Sequence, residues 1–180
     1  MANNPIRELI PAESIRERIA ELGAKITTDY ADLSEIVLLC VLKGGFIFTA
    51  DLVRHIGRPC RIEFLRASSY GLHRTSSGKV TLEGDIDISG EHVLLIEDIV
   101  DTGLTISRIT DELRKLAPAS LKICCLLDKP SARKVPVDID YIGFTIPDLF
   151  VVGYGLDAAE RYRELPFIGA AITSPSPGEP

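Results

Sequence analysis

The stretch that decides the fold is VLLIEDIVDTGLT, Val93 to Thr105. Its first four residues are an unbroken apolar run, the pattern of a strand buried on both faces of a parallel sheet. The run delivers two adjacent acids, Glu97 and Asp98, and then a short turn, Asp101-Thr102-Gly103-Leu104-Thr105, that opens a helix. Neighbouring carboxylates at the end of a core strand repel each other, and a cation, sugar hydroxyls or other hydrogen-bond donors offset that cost. Small and hydroxylated residues at a helix N-terminus leave backbone N–H groups free at the positive end of the helix dipole, which suits a phosphate. The stretch therefore points to a ligand that joins a polyol or a metal to phosphate.

Outward from this stretch the same strand–turn–helix pattern recurs. Ile36 to Leu42 (IVLLCVL) is a second buried strand, followed by Lys43-Gly44-Gly45 and by a helix from Phe46 to Ile56 that stops at Gly57. Leu121 to Leu127 (LKICCLL) is a third, ending in Asp128-Lys129-Pro130. Between them Leu104 to Leu116 reads as a helix with Ile106, Ile109, Leu113 and Leu116 on one face. Near the start, Ile15, Ile19 and Leu22 fall at helical spacing, and Gly23 is placed to end that helix. Arg61 to Arg66 alternates as a strand with Ile62, Phe64 and Leu65 inward, and Val80 to Ile88 returns toward the sheet. Shorter strands are expected at Tyr141 to Phe144, Phe150 to Val152 and Phe167 to Ile172.

This alternation describes an α/β fold, an open, mostly parallel twisted sheet flanked by helices, in one domain over residues 1–172. Ligands bind such sheets at the carboxyl ends of strands, near a topological switch point. The three loaded turns at Lys43, Glu97 to Thr105 and Lys129 should therefore meet on one edge. Residues 67–79 are polar and too long for an ordinary connection, which suits a lid, a binding loop or a mobile hairpin tip. The tail at 173–180 (TSPSPGEP) has the composition of a disordered segment.

Composition narrows the partners. The 180 residues carry a net charge of -6, and the acidic balance argues against a nucleic-acid binder. The four cysteines (Cys40, Cys60, Cys124, Cys125) sit in apolar runs without metal-ligand spacing and read as reduced core residues. His55, His73 and His92 are not clustered and read as surface or loop residues. Met1 to Ile10 is polar and broken by Pro5, unlike a signal peptide, and no apolar run approaches the roughly 20 residues of a membrane span. A soluble, cytoplasmic protein with no membrane partner is expected.

Gly153-Tyr154-Gly155-Leu156-Asp157-Ala158 matches the relaxed dinucleotide fingerprint in form only, because 22 residues follow it, too few for the required helix, strand and acid. Lys43 would pass for a solvated turn lysine if it stood alone. Directly off a buried strand and beside two glycines, whose backbone amides can approach closely, it suits a pyrophosphate. Lys129 carries the same ambiguity.

At this point the residues resemble a known family. VLLIEDIVDTGLT is similar to the phosphoribosyl-diphosphate binding motif of type I phosphoribosyltransferases. Leu42-Lys43-Gly44-Gly45, Ser69-Tyr70, Leu127 to Lys129 and the run IPDLFVVGYGLDAAERYRELPFIG, Ile146 to Gly169, narrow the resemblance to the hypoxanthine(-guanine) phosphoribosyltransferases. The resemblance implies the fold of that family, with a small hood and a flexible active-site loop over 67–79. It also implies the substrates, 5-phosphoribosyl 1-diphosphate and a 6-oxopurine base, the cofactor Mg²⁺, and assembly as a homodimer or homotetramer.

The same resemblance assigns roles. Asp101, Thr102, Gly103, Leu104 and Thr105 would hold the 5′-phosphate, and Asp101 would also act as catalytic base. Glu97 and Asp98 would meet the ribose hydroxyls and lie at Mg²⁺, while Lys43, Gly44 and Arg163 would bind the diphosphate. Lys129, Phe150, Val151 and Asp157 would receive the purine, with Asp157 also at a second Mg²⁺. Ser69 and Tyr70 would belong to the lid, and the Leu42–Lys43 peptide can be cis in the family. One departure is Leu104, where some members have lysine, so that phosphate charge must be met elsewhere. Three other readings are open: a xanthine-preferring enzyme, an RNA-binding regulator on the same fold, which the charge disfavours, and a phospho-acceptor signalling domain, which usually places its acid pair after the first strand.

Overall fold

The computed structural model describes residues 6–69, 80–83 and 86–171. Its centre is a six-stranded sheet. In chain order the strands are β2 (Ile36–Leu42), β3 (Cys60–Ser69), β4 (Val80–Glu83), β5 (His92–Val100), β6 (Ser120–Asp128) and β7 (Tyr141–Thr145), and their spatial order is β4-β3-β2-β5-β6-β7. All neighbours are parallel except β4, which runs antiparallel to β3 at one edge. A smaller antiparallel sheet joins β1 (Ile6–Ile10), β9 (Ile168–Ala171) and β8 (Val151–Val152) in that order.

The apolar runs of β2 and β5 explain why they are central. Alternate residues of one strand supply two different cores, one on each face of the sheet. Ile36, Leu38, Leu94 and Ile96 pack beneath α1 (Ala12–Asp29) and α2 (Phe46–Leu52), while Val37, Leu39, Val93 and Leu95 pack beneath α3 (Leu104–Arg114). Burying an aliphatic side chain of this size contributes about 1.5–3 kcal/mol, so strands of this composition are stable only with helices on both sides.

The chain leaves β2 toward β3 on one side, then crosses back to place β5 on the other side and continues outward to β6 and β7. The strand order thus reverses between β2 and β5, and the crevice at their carboxyl ends is the topological switch point. Lys43-Gly44-Gly45 follows β2, Asp101 to Gly103 follows β5, and Lys129 follows β6, so the expected convergence is met by three adjacent strands. The Leu42–Lys43 peptide is cis.

Several expectations require correction. Ile6–Ile10, for which the sequence reading named no element, is a strand that pairs with the far C-terminal strand β9. Gly23 does not end a helix: α1 runs on to Asp29, and Gly23 lies where a Cβ would come within 2.4 Å of the His55 Cβ. It serves close helix packing. Of the three β3 residues expected inward, Leu65 alone is buried; Ile62 and Phe64 are 40% and 52% exposed, because the helices on their face pack on β2 and β7. Leu116 lies beyond the end of α3 and is exposed. β3 extends through Ser69, so the start of the polar stretch 67–79 is strand; residues 70–79 and 172–180, including the expected lid residue Tyr70 and the tail, lie outside the described residues. His92 is a half-buried strand residue whose Nδ1 hydrogen-bonds with Ser120 Oγ at 2.8 Å. The four cysteines are free, with three buried and Cys60 half-buried. Among the described residues, no helix is long and apolar enough to cross a membrane.

Candidate active site

The acids of β5 lie inside the strand rather than past its end, since pairing with β6 continues to Val100. Glu97 is buried, and burial together with the adjacent Asp98 charge pushes its carboxyl well above the usual range. Asp98 N donates to Glu97 Oε1 at 3.3 Å, and Ile99 N donates to Asp98 Oδ1 at 2.9 Å. The Asp98 carboxylate presses against the backbone of the β2–α2 turn: a Cβ on Gly44 would lie 1.5 Å from Asp98 Oδ2. On its other side the turn meets Gly155, where a Cβ would lie 2.2 Å from the Gly44 carbonyl oxygen and φ is +99°. Three segments distant in sequence therefore close on Gly44.

The turn after β5 is shaped from outside. Gly103 adopts φ +81°, and a Cβ there would reach 2.8 Å from the Val135 carbonyl oxygen. Arg133 Nε donates to the Asp101 carbonyl at 3.0 Å and its Nη2 to that of Val100 at 3.3 Å, while the same guanidinium pairs with Asp128. α3 begins at Leu104 behind Gly103, Leu104 N donates to Thr102 Oγ1 at 3.4 Å, and the positive end of the helix adjoins a cavity of about 260 Å³ lined by Glu97 to Gly103, Thr105 and Ile106.

A second cavity, of about 220 Å³, shares Asp98, Ile99 and Asp101 with the first and is completed by Lys129, Phe150, Val151, Leu156 and Asp157. Lys129 is only 5% exposed, with its Nζ 3.8 Å from both Asp101 Oδ2 and Asp148 Oδ1. Phe150 is exposed to the cavity side, whereas Val151 is buried in the small sheet and paired with Ala170. A larger cavity, about 600 Å³, lies between α1, α2 and the segment around Leu165 and is lined by none of the expected ligand-binding residues.

The remaining charges form one network beside Gly44. Lys43 Nζ donates to Glu160 Oε2 at 3.0 Å, and Arg163 Nη2 lies 3.4 Å from the same oxygen. The two cations hold the Glu160 carboxyl below its usual range. Arg163 also reaches Asp157 Oδ1 at 2.7 Å and donates from Nη1 to the Gly155 carbonyl at 2.6 Å, and Glu160 N donates to Asp157 Oδ2 at 2.8 Å. Both Asp157 oxygens are thus engaged by the protein itself.

The structure brings Lys43, Gly44, Glu97, Asp98, Asp101 to Thr105, Lys129, Phe150, Val151, Asp157 and Arg163 to the carboxyl edge around the two adjoining cavities, while the side chain of Ser69 lies outside the described residues. A model of the phosphoribosyl transferase domain matches residues 8–159. The hypoxanthine phosphoribosyltransferase of Haemophilus influenzae is 47% identical over 176 residues, covering 96% of this chain and 98% of that one. The hypoxanthine-guanine phosphoribosyltransferase of Bacillus subtilis is 48% identical over 163 residues, covering 89% and 90%. A crystal structure of a hypoxanthine-guanine phosphoribosyltransferase from Bacillus anthracis superposes with a TM-score of 0.87 at 46% identity, covering 93% of this chain and 100% of the other. The chain belongs to the hypoxanthine(-guanine) phosphoribosyltransferase family. Its mostly parallel sheet flanked by helices is that of the type I phosphoribosyltransferase fold.

Within this member of the family, the sequence pointed to the Asp128-Lys129 turn without a partner for Asp128, and gave no role to Arg133, Asp148 or Glu160. Nothing local marks Arg133 or Asp148. Glu160 carried a signal, the three-residue spacing of Asp157, Glu160 and Arg163, which in a tight turn gathers charges on one side.

The buried Glu97 sets a stability prediction. A carboxyl whose folded pKa is raised above its ordinary value near 4.5 destabilises the folded state as pH rises from there through the folded pKa. In metal-free buffer Glu97→Gln should therefore raise Tm at pH 8 by about 2–4 °C or more, and the gain should vanish near pH 4. Melting curves across that range check it; a lower Tm at pH 8 contradicts it.

Proposed function

We propose that the chain transfers the 5-phosphoribosyl group from 5-phosphoribosyl 1-diphosphate to hypoxanthine, and to guanine, releasing diphosphate in purine salvage. The family carries the reaction class. The observation that carries the base is the juxtaposition of Lys129 Nζ and Asp101 Oδ2, 3.8 Å apart, in a cavity faced by Phe150. A 6-oxopurine presents an acceptor at O6 and a proton at N7 on one edge. A buried ammonium beside a carboxylate complements that pair, whereas adenine would set an amino group against the ammonium and lose a hydrogen bond.

In this reading Phe150 stacks on the purine and the main chain of Val151 meets its far edge. Backbone amides and hydroxyls of Thr102 to Thr105 hold the 5′-phosphate at the start of α3. Leu104 gives only its amide, so the helix end supplies the charge complement that a lysine provides elsewhere. Glu97 and Asp98 accept from the ribose 2- and 3-hydroxyls, and Lys43, the Gly44 amide and Arg163 hold the diphosphate.

The bond from ribose C1 to the diphosphate oxygen breaks with its electron pair leaving on diphosphate, and the lone pair of purine N9 forms the new bond with inversion. Asp101 takes the N7 proton, which keeps the product base neutral. Lys43 and Arg163 meet the charge that grows on the leaving group.

The donor set fits a divalent cation. Glu97 and Asp98 are adjacent hard oxygen donors without a cationic partner of their own among the described contacts, and Asp98 lies against Gly44, where the diphosphate is placed. Among the described residues no three His, Cys, Asp or Glu side chains are gathered for a metal, so substrate oxygens would complete the shell. Mg²⁺ bound there would neutralise the diphosphate and screen the acid pair. A second ion at Asp157 would require Arg163 to give up its 2.7 Å pairing.

The reading places the enzyme in the cytoplasm as a homo-oligomer. Ile62 and Phe64 share one uncovered face of β3, and Phe46 is also exposed. Such apolar area suits a second copy of the chain. Sedimentation velocity should show Phe64→Asp shifted toward monomer, and an unchanged assembly would remove this face from the interface.

Two assays test the function. A panel of hypoxanthine, guanine, xanthine, adenine and uracil with 5-phosphoribosyl 1-diphosphate and Mg²⁺ should release diphosphate with 6-oxopurines and not with adenine or uracil. Asp101→Asn should lower kcat about 10²-fold or more with substrate KM little changed. Activity confined to xanthine would select the xanthine-preferring reading, and an unaltered kcat would remove Asp101 as base.

A further inference from the structure

The two cations assigned to the diphosphate are not waiting in solvent. Lys43 and Arg163 share one carboxylate oxygen, Glu160 Oε2, at 3.0 and 3.4 Å. The three side chains sit beside the turn that Gly44 forms, and Glu160 reaches them from the opposite segment of the crevice, 117 residues on from Lys43. Its backbone is fixed for this purpose. Ala159 and Glu160 both take positive φ, 52° and 62°, and Glu160 N is anchored to Asp157 Oδ2 at 2.8 Å.

The network has a permanent part and an exchangeable part. Arg163 is held by Asp157 and by the Gly155 carbonyl as well as by Glu160, and its side chain is mostly buried. Lys43 has only Glu160 among its described partners, and the Glu160 side chain is 65% exposed. A single exposed carboxylate holds such a pair weakly. Diphosphate brings several charges and more acceptor oxygens to the same cations, so it displaces Glu160 rather than adding to it.

The geometry points to Glu160 as an intramolecular competitor of diphosphate: it occupies Lys43 and Arg163 when the crevice is empty, keeps the lysine aligned over the turn, and returns to them as the product leaves. Glu160 is thus a positioning residue for product release. This rests on the assignment of Lys43 and Arg163 to the diphosphate given above.

The competition should be visible in the affinity for diphosphate itself. With the full-length protein, diphosphate plus Mg²⁺ is titrated by calorimetry and also used as a product inhibitor against 5-phosphoribosyl 1-diphosphate. Glu160→Gln should tighten diphosphate binding about two- to fivefold at low ionic strength, with a smaller gain in high salt. Glu160→Gly, which suits φ of 62°, should do the same without backbone strain. Glu164→Gln removes equal charge from the same segment, beside the separate 600 Å³ cavity, and should leave the affinity as in the wild type.

Equal or weaker diphosphate binding in both Glu160 variants overturns the inference, as does an equal gain in Glu164→Gln. If the wild type turns over 6-oxopurines while the Glu160 variants show no gain, the competitor role alone fails. If the wild type neither binds diphosphate nor turns over any 6-oxopurine, the assignment of the crevice fails and takes the inference with it.

Discussion

The site depends on one close approach, the packing of the Asp98 carboxylate against the backbone of Gly44. The contact exists because β2 and β5 are neighbours at the switch point, and their turns have nowhere to go but across the same crevice. A side chain at position 44 would overlap Asp98 on one flank, and one at 155 would overlap the Gly44 carbonyl on the other. Two glycines therefore let an acid-bearing strand, a cation-bearing turn and the segment that leads to Asp157 come within van der Waals distance. Large apolar residues deeper in β2 and β5 hold the strands in register beneath them.

On this frame the charges are arranged in compensated sets, which is how an acidic chain can present cations to a polyanion. Lys129 stands between Asp101 and Asp148, Arg133 joins Asp128 to the carbonyls at the end of β5, and Lys43 and Arg163 share Glu160. Each cation is aimed before any ligand arrives, and less ordering remains to be done on binding. Glu97 is different. It is a buried carboxyl whose nearest charge is another carboxyl, and a protein built for stability alone would not keep it.

Much of this was legible in the chain. The continuous apolar runs that became β2, β5 and β6 fix a doubly covered parallel sheet, because no other common arrangement buries both faces of a strand. The loaded turns behind them locate the ligand edge, and the match of Val93 to Thr105 and of Ile146 to Gly169 names the family. What was not legible is set by distant partners. Ile6–Ile10 becomes a strand only because β9 offers its edge more than 150 residues later. Alternation in Arg61 to Arg66 reveals a strand but not which face the helices cover, so Ile62 and Phe64 were turned the wrong way. Gly23 looked like a helix terminator, yet it answers a contact with His55 across two helices. Arg133 and Asp148 act on groups whose proximity arises only once β5, β6 and the segment between β7 and β8 are assembled.

Kinetics and melting of Gly44→Ala test the central constraint most directly. The added Cβ falls on a side-chain carboxylate rather than on backbone, so Asp98 can turn aside at the cost of its bond from Ile99 N and the chain can still fold. The expected result is a Tm within a few degrees of the wild type together with a fall in kcat/KM of about a hundredfold, since Asp98 and the turn beside Lys43 no longer share their productive positions. Turnover equal to the wild type would contradict the account.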